Sequence, residues 1–261
     1  MAAPGRFELK YVVPEHVARQ LAAQVQPYCK TDATGSLDGN YVVTSLYLDS
    51  PQWHLHQAVM TAQPVRFKAR VRTYGSDPHA DAWVEIKRRF GEVIAKSRAR
   101  VRAHFWPTLV DRFALAQPDT WQLAQSALDV VKDFQSAVVA TDLQPAMLVR
   151  YDREAYMGVL EPDVRVTFDR NLRYLRSHDA ELVHDESRYH GMAGRDVFDG
   201  VPHAVVVELK FNLRMPLWMG DCVRTLQLHR GSFAKYSTAV ELHREDGQMW
   251  ARLGQRPRHL R

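Results

Sequence analysis

The chain has 261 residues, 46% of them hydrophobic, and carries 35 Lys and Arg against 30 Asp and Glu for a formal net charge of +5. That is apolar material enough for a substantial core, and the cationic excess favours anionic partners. No window approaches the roughly 18 apolar residues of a membrane span, and Cys29 and Cys222 lack partners at metal or redox spacing, so a disulfide framework and a thiolate zinc site are excluded and a soluble, cytoplasmic protein is expected.

Period-two alternation predicts eight strands, over 6–11, 42–49, 65–74, 82–89, 93–102, 147–156, 164–170 and 204–211. After the first, Pro14 opens an amphipathic helix in which Val17, Leu21 and Val25 recur at a spacing of four. Ser50-Pro51 starts a helix over 51–61, and Pro64 ends it before the third strand. Phe90-Gly91-Glu92 reads as a hairpin tip joining the fourth and fifth strands. Residues 104–142, rich in Leu, Val, Ala, Trp and Gln and broken at Pro118-Asp119, read as two helices covering an outer face. Residues 171–203 read as a long loop. From Pro216 the pattern is helical again, with Gly231 dividing two helices. One domain over 1–245 is expected, followed by a flexible basic tail over 246–261.

The polar faces of these strands are unusual. Arg66, Lys68, Arg70 and Arg72 share one side of the third strand, opposite Val65, Phe67, Ala69 and Val71. Glu85 and Lys87 repeat the arrangement in the fourth strand, Lys96, Arg98 and Arg100 in the fifth, Glu208 and Lys210 in the eighth, and Arg6, Glu8 and Lys10 in the first. For one strand, a solvated face is the simpler explanation. Across five strands the bias to cations departs from the mixed signs of an ordinary surface. Two cations ~7 Å apart at an effective dielectric of 20 repel by roughly 2 kcal/mol, so crowding many of them inside a barrel requires a compensating polyanion. Arg grips phosphate oxygens bidentately, Lys adds mobile point charges, and carboxylates on the same walls suit a divalent cation.

The ordered series Phe7-Glu8-Leu9-Lys10-Tyr11, Ser45-Leu46-Tyr47-Leu48-Asp49, Lys68-Ala69-Arg70-Val71-Arg72-Thr73-Tyr74-Gly75, Val84-Glu85-Ile86-Lys87, Lys96-Ser97-Arg98-Ala99-Arg100, Tyr151-Asp152-Arg153, Val164-Arg165-Val166-Thr167-Phe168-Asp169, Val207-Glu208-Leu209-Lys210 and Ser232-Phe233-Ala234-Lys235-Tyr236 closely resembles the VTC polyphosphate polymerase domain of the triphosphate tunnel, or CYTH-like, superfamily. The resemblance runs from about residue 6 to residue 240. It implies an α+β fold, an eight-stranded antiparallel β-barrel tunnel with helices packed outside. It also implies that Lys10, Arg70, Arg72, Lys87, Lys96, Arg153, Arg165 and Lys235 carry the catalytic phosphate contacts. Lys68, Arg98, Tyr151 and Lys210 are further wall positions. Glu208 matches the metal-binding glutamate, with Glu8 as a second carboxylate and Mn²⁺ or Mg²⁺ as the cofactor. Where the superfamily often has Glu-x-Glu-x-Lys in its first strand, this chain has Arg6-x-Glu8-x-Lys10. One carboxylate fewer weighs against a two-metal hydrolase.

The expected activity is transfer of the γ-phosphate of ATP to a growing inorganic polyphosphate chain. The rivals are a triphosphatase of the same tunnel class and a non-catalytic polyphosphate-binding accessory subunit. ATP and polyphosphate are the expected partners, together with a separate membrane protein that would place the chain at the inner face of a membrane. A nucleic-acid module is disfavoured because the cations share strand faces with acidic residues. His54-Leu55-His56 lacks zinc spacing, no phosphate-binding Gly-rich loop appears, and at Asp49 and Asp169, near strand ends, a turn or capping role is at least as well supported as metal binding.

Overall fold

The alternating segments form strands whose two faces differ in chemistry. The structure is a computed structural model that describes residues 6–32, 39–91, 93–111, 117, 121–183, 185–192, 198, 201, 203–231 and 233–252. In chain order the elements are β1 (Arg6–Val13), α1 (Glu15–Val25), β2 (Cys29–Thr31), β3 (Asn40–Asp49), α2 (His54–Met60), β4 (Val65–Tyr74), β5 (Ala82–Phe90), β6 (Val93–Val101), α3 (Trp106–Val110), α4 (Gln125–Ala140), β7 (Gln144–Gly158), β8 (Arg165–Arg176), β9 (His190–Gly191), β10 (Val205–Asn212), α5 (Leu217–Thr225), β11 (Arg230–Gly231) and α6 (Lys235–Arg252). The eight long strands correspond to the eight alternating segments, and three short ones are added. The break at Pro118-Asp119 and residues 253–261 of the tail lie outside the described residues, and α6 itself runs past residue 245.

All strands join one antiparallel sheet in the order β11-β1-β10-β8-β7-β3-β4-β5-β6, with β2 on β7 and β9 on β8. Among the described residues no ladder joins β6 to β1. The sheet curls instead until side chains meet across its concavity, where Lys87 Nζ of β5 lies 3.6 Å from Glu8 Oε2 of β1.

The segment read as a loop from residue 171 begins inside a strand. Register between β7 and β8 shifts at Arg150/Asp152, and Asn171 adopts φ 51°. Two residues of β8 therefore oppose one of β7, which is a β-bulge. The extra residue breaks the period of two, and β8 resumes with Leu172 and Tyr174 packed on Tyr151 of the concave face.

Two helical layers cover the convex face. Val131, Phe134 and Val138 of α4, with Trp106 and Leu109 of α3, pack on Leu46, Val71, Val84, Ile86 and Ala99. Leu21 and Val25 of α1, with Met219 of α5, pack on Val166, Phe168, Val207 and Leu209. Truncating a fully buried aromatic such as Phe134 to Ala would cost about 3–5 kcal/mol. The expectation that every helix lies outside is corrected by α6. Its Tyr236, Ala239 and Val240 pack on Tyr47, Val149, Tyr151 and Tyr174 of the concave face, because the concave positions there are aromatic and aliphatic rather than charged.

Candidate functional site

Strand register arranges the concave side chains in transverse rows. Lys10 of β1 stands opposite Glu208, which stands opposite Thr167 of β8. Asp169 stands opposite Arg153 of β7. Further along, Tyr47, Arg70, Glu85 and Arg98 form one row through β3, β4, β5 and β6, while Lys68, Lys87 and Lys96 form the next. Residues spaced by two along each strand thus meet as a charged wall.

Buried carboxylates brace this wall at two centres. At the first, Glu208 lies 2.6 Å from Lys210 Nζ, 3.2 Å from Lys235 Nζ, 3.7 Å from Lys10 Nζ and 3.8 Å from Arg153 Nη2. Beside it Arg153 donates through Nε and Nη2 to both oxygens of Asp169, at 2.6 and 2.7 Å, and Lys235 Nζ approaches the same carboxylate at 2.7 Å. The Tyr151 ring lies 5.2 Å from the Arg153 guanidinium and 5.0 Å from the Lys235 ammonium. At the second centre Glu85, 1% exposed at its side chain, accepts from Arg70 Nε at 2.6 Å and pairs with Lys96 at 2.8 Å. Arg70 Nη1 also donates to the Tyr47 hydroxyl at 2.9 Å, and Arg72 Nε donates to Ser45 Oγ at 2.8 Å. Glu8 links the two centres, 3.3 Å from Lys10 and 3.6 Å from Lys87.

The electrostatics follow from this crowding. Burial alone would raise the Glu208 carboxyl, but Lys210, Lys235, Lys10 and Arg153 hold it well below the usual carboxylate range. Burial and Glu208 push Glu8 upward, and Lys210, Lys10 and Lys87 overcome them and bring it down to about 2. Burial lowers Lys68 to about 8 against the pull of Tyr47, with Lys10 and Lys87 pressing the same way, and it lowers Lys96 to about 8 despite Glu85. Burial would raise Tyr47, yet Arg70, Arg72 and Lys68 draw its phenol down to about 7. Burial is thus the main cause for the two lysines, and the neighbouring cations are the cause for the phenol.

Of the residues predicted from sequence, Lys10, Lys68, Arg70, Arg72, Lys87, Lys96, Tyr151, Arg153, Lys210, Lys235, Glu8 and Glu208 come together on this face. Arg165 shares the face but is held to one side by Asp32 at 2.5 Å and by the Tyr41 hydroxyl at 2.9 Å. Arg98 is exposed and lies over the Trp83 ring at 4.6 Å. Sequence reasoning missed Asp169 and Glu85 as counter-ions and Tyr47 as the Arg70 partner. Asp169 is a mid-strand residue, not a cap, and its parity with Arg165 and Thr167 was the available signal. Asp49 is a capping residue as expected, accepting from the Ser50, Leu55 and His56 amides and from the Tyr236 hydroxyl.

For a divalent cation, the described residues contain no cluster of three or more His, Cys, Asp or Glu at ligand spacing. Glu8 and Glu208 nonetheless sit close enough to raise one another's cost of ionisation, and both share Lys10 as a counter-ion. Two carboxylates suffice when substrate phosphates complete the shell, as is usual for Mg²⁺. The donor set fits such an ion.

The result is an α+β domain built on one curled antiparallel sheet, clad in helices on its convex side, with a cationic concave face braced by carboxylates. The chain belongs to the VTC domain family, whose model matches residues 5–244. No curated protein matches it. Among solved structures it is similar to a Vibrio parahaemolyticus protein provisionally named an adenylate cyclase, at 12% identity and a TM-score of 0.44, over 90% of this chain and 98% of that one. No helix of the described residues is long and apolar enough to cross a membrane.

Proposed function

We propose that this domain transfers the γ-phosphate of ATP to the end of an inorganic polyphosphate chain held along the concave face. The observation that carries the reading is the continuous run of cations from Arg153 and Lys235, through Lys10 and Lys210, to Arg70, Lys87 and Lys96, interleaved with the carboxylates of Asp169, Glu208, Glu8 and Glu85 that pair with them. Membership of the VTC domain family supports it.

Phosphoryl transfer needs positioning and charge neutralisation more than covalent chemistry, which suits a face built from Arg, Lys and carboxylates. Arg70, Arg72 and Arg153 are pre-aimed by Glu85, Ser45 and Asp169, so their donors are in place before charge develops on the transferring group. The terminal phosphate of the chain, already anionic, attacks the γ-phosphorus in line, and nucleoside diphosphate leaves. Lys10, Lys210 and Lys235 neutralise the chain beside Glu208. Mn²⁺ or Mg²⁺ on Glu208 and Glu8 would supply charge neutralisation to phosphate oxygens there. A separate membrane protein receiving the chain belongs to the same proposal.

The test is to incubate the purified chain with ATP and Mn²⁺ and resolve the products on a gel. A ladder of long polyphosphate is expected. Orthophosphate alone would identify a tunnel triphosphatase, and tight triphosphate binding without any product would leave a binding subunit.

A further inference from the structure

On the convex face one transverse row is polar. Thr73, Thr44, Arg150 and Arg173 stand opposite one another through β4, β3, β7 and β8, while the adjacent row of Val71, Leu46, Leu148 and Leu175 packs in the core under α4. Arg150 and Arg173 are therefore like charges directly opposed, which destabilises a sheet unless an anion bridges them. Glu186 does so from outside the sheet. Its Oε1 lies 3.2 Å from both Nε and Nη2 of Arg150, and its Oε2 lies 2.5 Å from Arg173 Nη1. Arg150, 3% exposed at its side chain, also donates through Nη1 to Thr44 Oγ1 at 2.7 Å, and Arg173 donates through Nε to the Asn171 carbonyl at 3.1 Å. Both guanidinium groups are thus aimed by partners other than Glu186.

The bridging carboxylate is lightly held. It sits on a single turn, Glu186–Arg188, that buries none of its residues, and its side chain is 49% exposed. Its two contacts with Arg150, at 3.2 Å, are long for charge-assisted bonds, which usually run about 2.7–2.9 Å. It also brings one charge to two guanidinium groups. Among the described carboxylates, the other within ion-pair reach of the two is Asp152, 3.4 Å from Arg173 Nη2 and itself held by Asn171 Nδ2 at 2.6 Å. A phosphate group carries nearly two charges on three strong acceptor oxygens, and arginine forks match that geometry bidentately.

We infer that Arg150 and Arg173 form an oxyanion site on the convex face, filled at rest by Glu186, in which a dianionic phosphate group displaces that carboxylate. The two arginines face away from the concave site, so the inference does not depend on the reading of that face as a site of phosphate transfer.

The experiment titrates the full chain with inorganic phosphate by calorimetry at fixed ionic strength, in wild type, Glu186→Gln and Glu186→Gln/Arg173→Gln. All three share the concave face, so differences among them read the convex site. Glu186→Gln removes the competing charge and keeps both arginines, and it should bind phosphate about tenfold or more tightly than wild type. Adding Arg173→Gln should remove that gain. Glycerol phosphate, titrated in parallel, separates the sources: tighter binding than phosphate assigns the site to a phosphate monoester, and weaker binding assigns it to free phosphate. Glu186→Gln also leaves the buried Arg150 with less counter-charge, so its melting temperature should fall in phosphate-free buffer and rise with phosphate by more than that of wild type. That shift reads the site even in a variant too unstable to titrate. Binding no tighter in Glu186→Gln than in wild type, a gain that survives Arg173→Gln, or equal phosphate shifts in melting temperature would overturn the site.

Discussion

Asp169→Asn removes the charge on which the inner end of the site is built. The carboxylate is fully buried, takes both Nε and Nη2 of Arg153 and lies 2.7 Å from Lys235, while Arg153 and Lys235 side chains are each 7% exposed. After the substitution those two cations keep, among the described carboxylates, Glu208 at 3.8 and 3.2 Å, which is already shared with Lys10 and Lys210. Breaking a buried ion pair from one side costs about 3–5 kcal/mol. At about 2–4 °C per kcal/mol for a chain of this size, the melting temperature should fall by roughly 6–20 °C. Phosphate oxygens can replace the missing charge, so saturating tripolyphosphate should raise the variant's melting temperature by more than it raises that of wild type. Thermal unfolding with and without the ligand reads both effects. A loss below about 2 °C, or equal ligand shifts in the two proteins, would refute the view that Asp169 is the resting counter-ion of a phosphate site.

A bound polyanion raises the pKa of Tyr47 from about 7 and of Lys68 and Lys96 from about 8, so the complex holds more protons than the free protein. Affinity for tripolyphosphate should therefore fall as pH rises from 7 to 9, with proton uptake seen as a buffer-dependent binding enthalpy; a flat or rising affinity would contradict the sign. Glu208→Gln should abolish most of the gain in phosphate affinity that Mn²⁺ gives wild type, by about tenfold or more, as titrations with and without metal would show. Asn171→Val forces a β-branched residue into φ 51° and should cost roughly 1–3 kcal/mol in urea unfolding.

The framework was legible because its period is unambiguous. Val65 to Arg72 can only be a strand with one charged face, and the same holds for Val84 to Lys87 and for Val205 to Lys210. The cations were legible for the same reason. Their counter-ions were less so, since alternation says that Glu85 shares a face with Lys87 but not that it turns toward Arg70 and Lys96. Asp169 was hidden by the bulge at Asn171, which ends the visible period two residues after it and makes a mid-strand carboxylate look terminal. The position of α6 was hidden too. An amphipathic stripe shows that a helix packs against something, and only the tertiary contacts of Tyr236 with Tyr47 and Asp49 show that it packs inside the curl.

If phosphate leaves ATP for a chain along this cationic face, a label placed on the γ-phosphate of ATP will follow it there. The label should accumulate in chains much longer than three phosphates, and Arg70→Ala and Arg153→Ala variants that remain folded should lose nearly all of it. Label recovered only as orthophosphate, or retained in ATP that the protein binds and does not consume, would contradict the account.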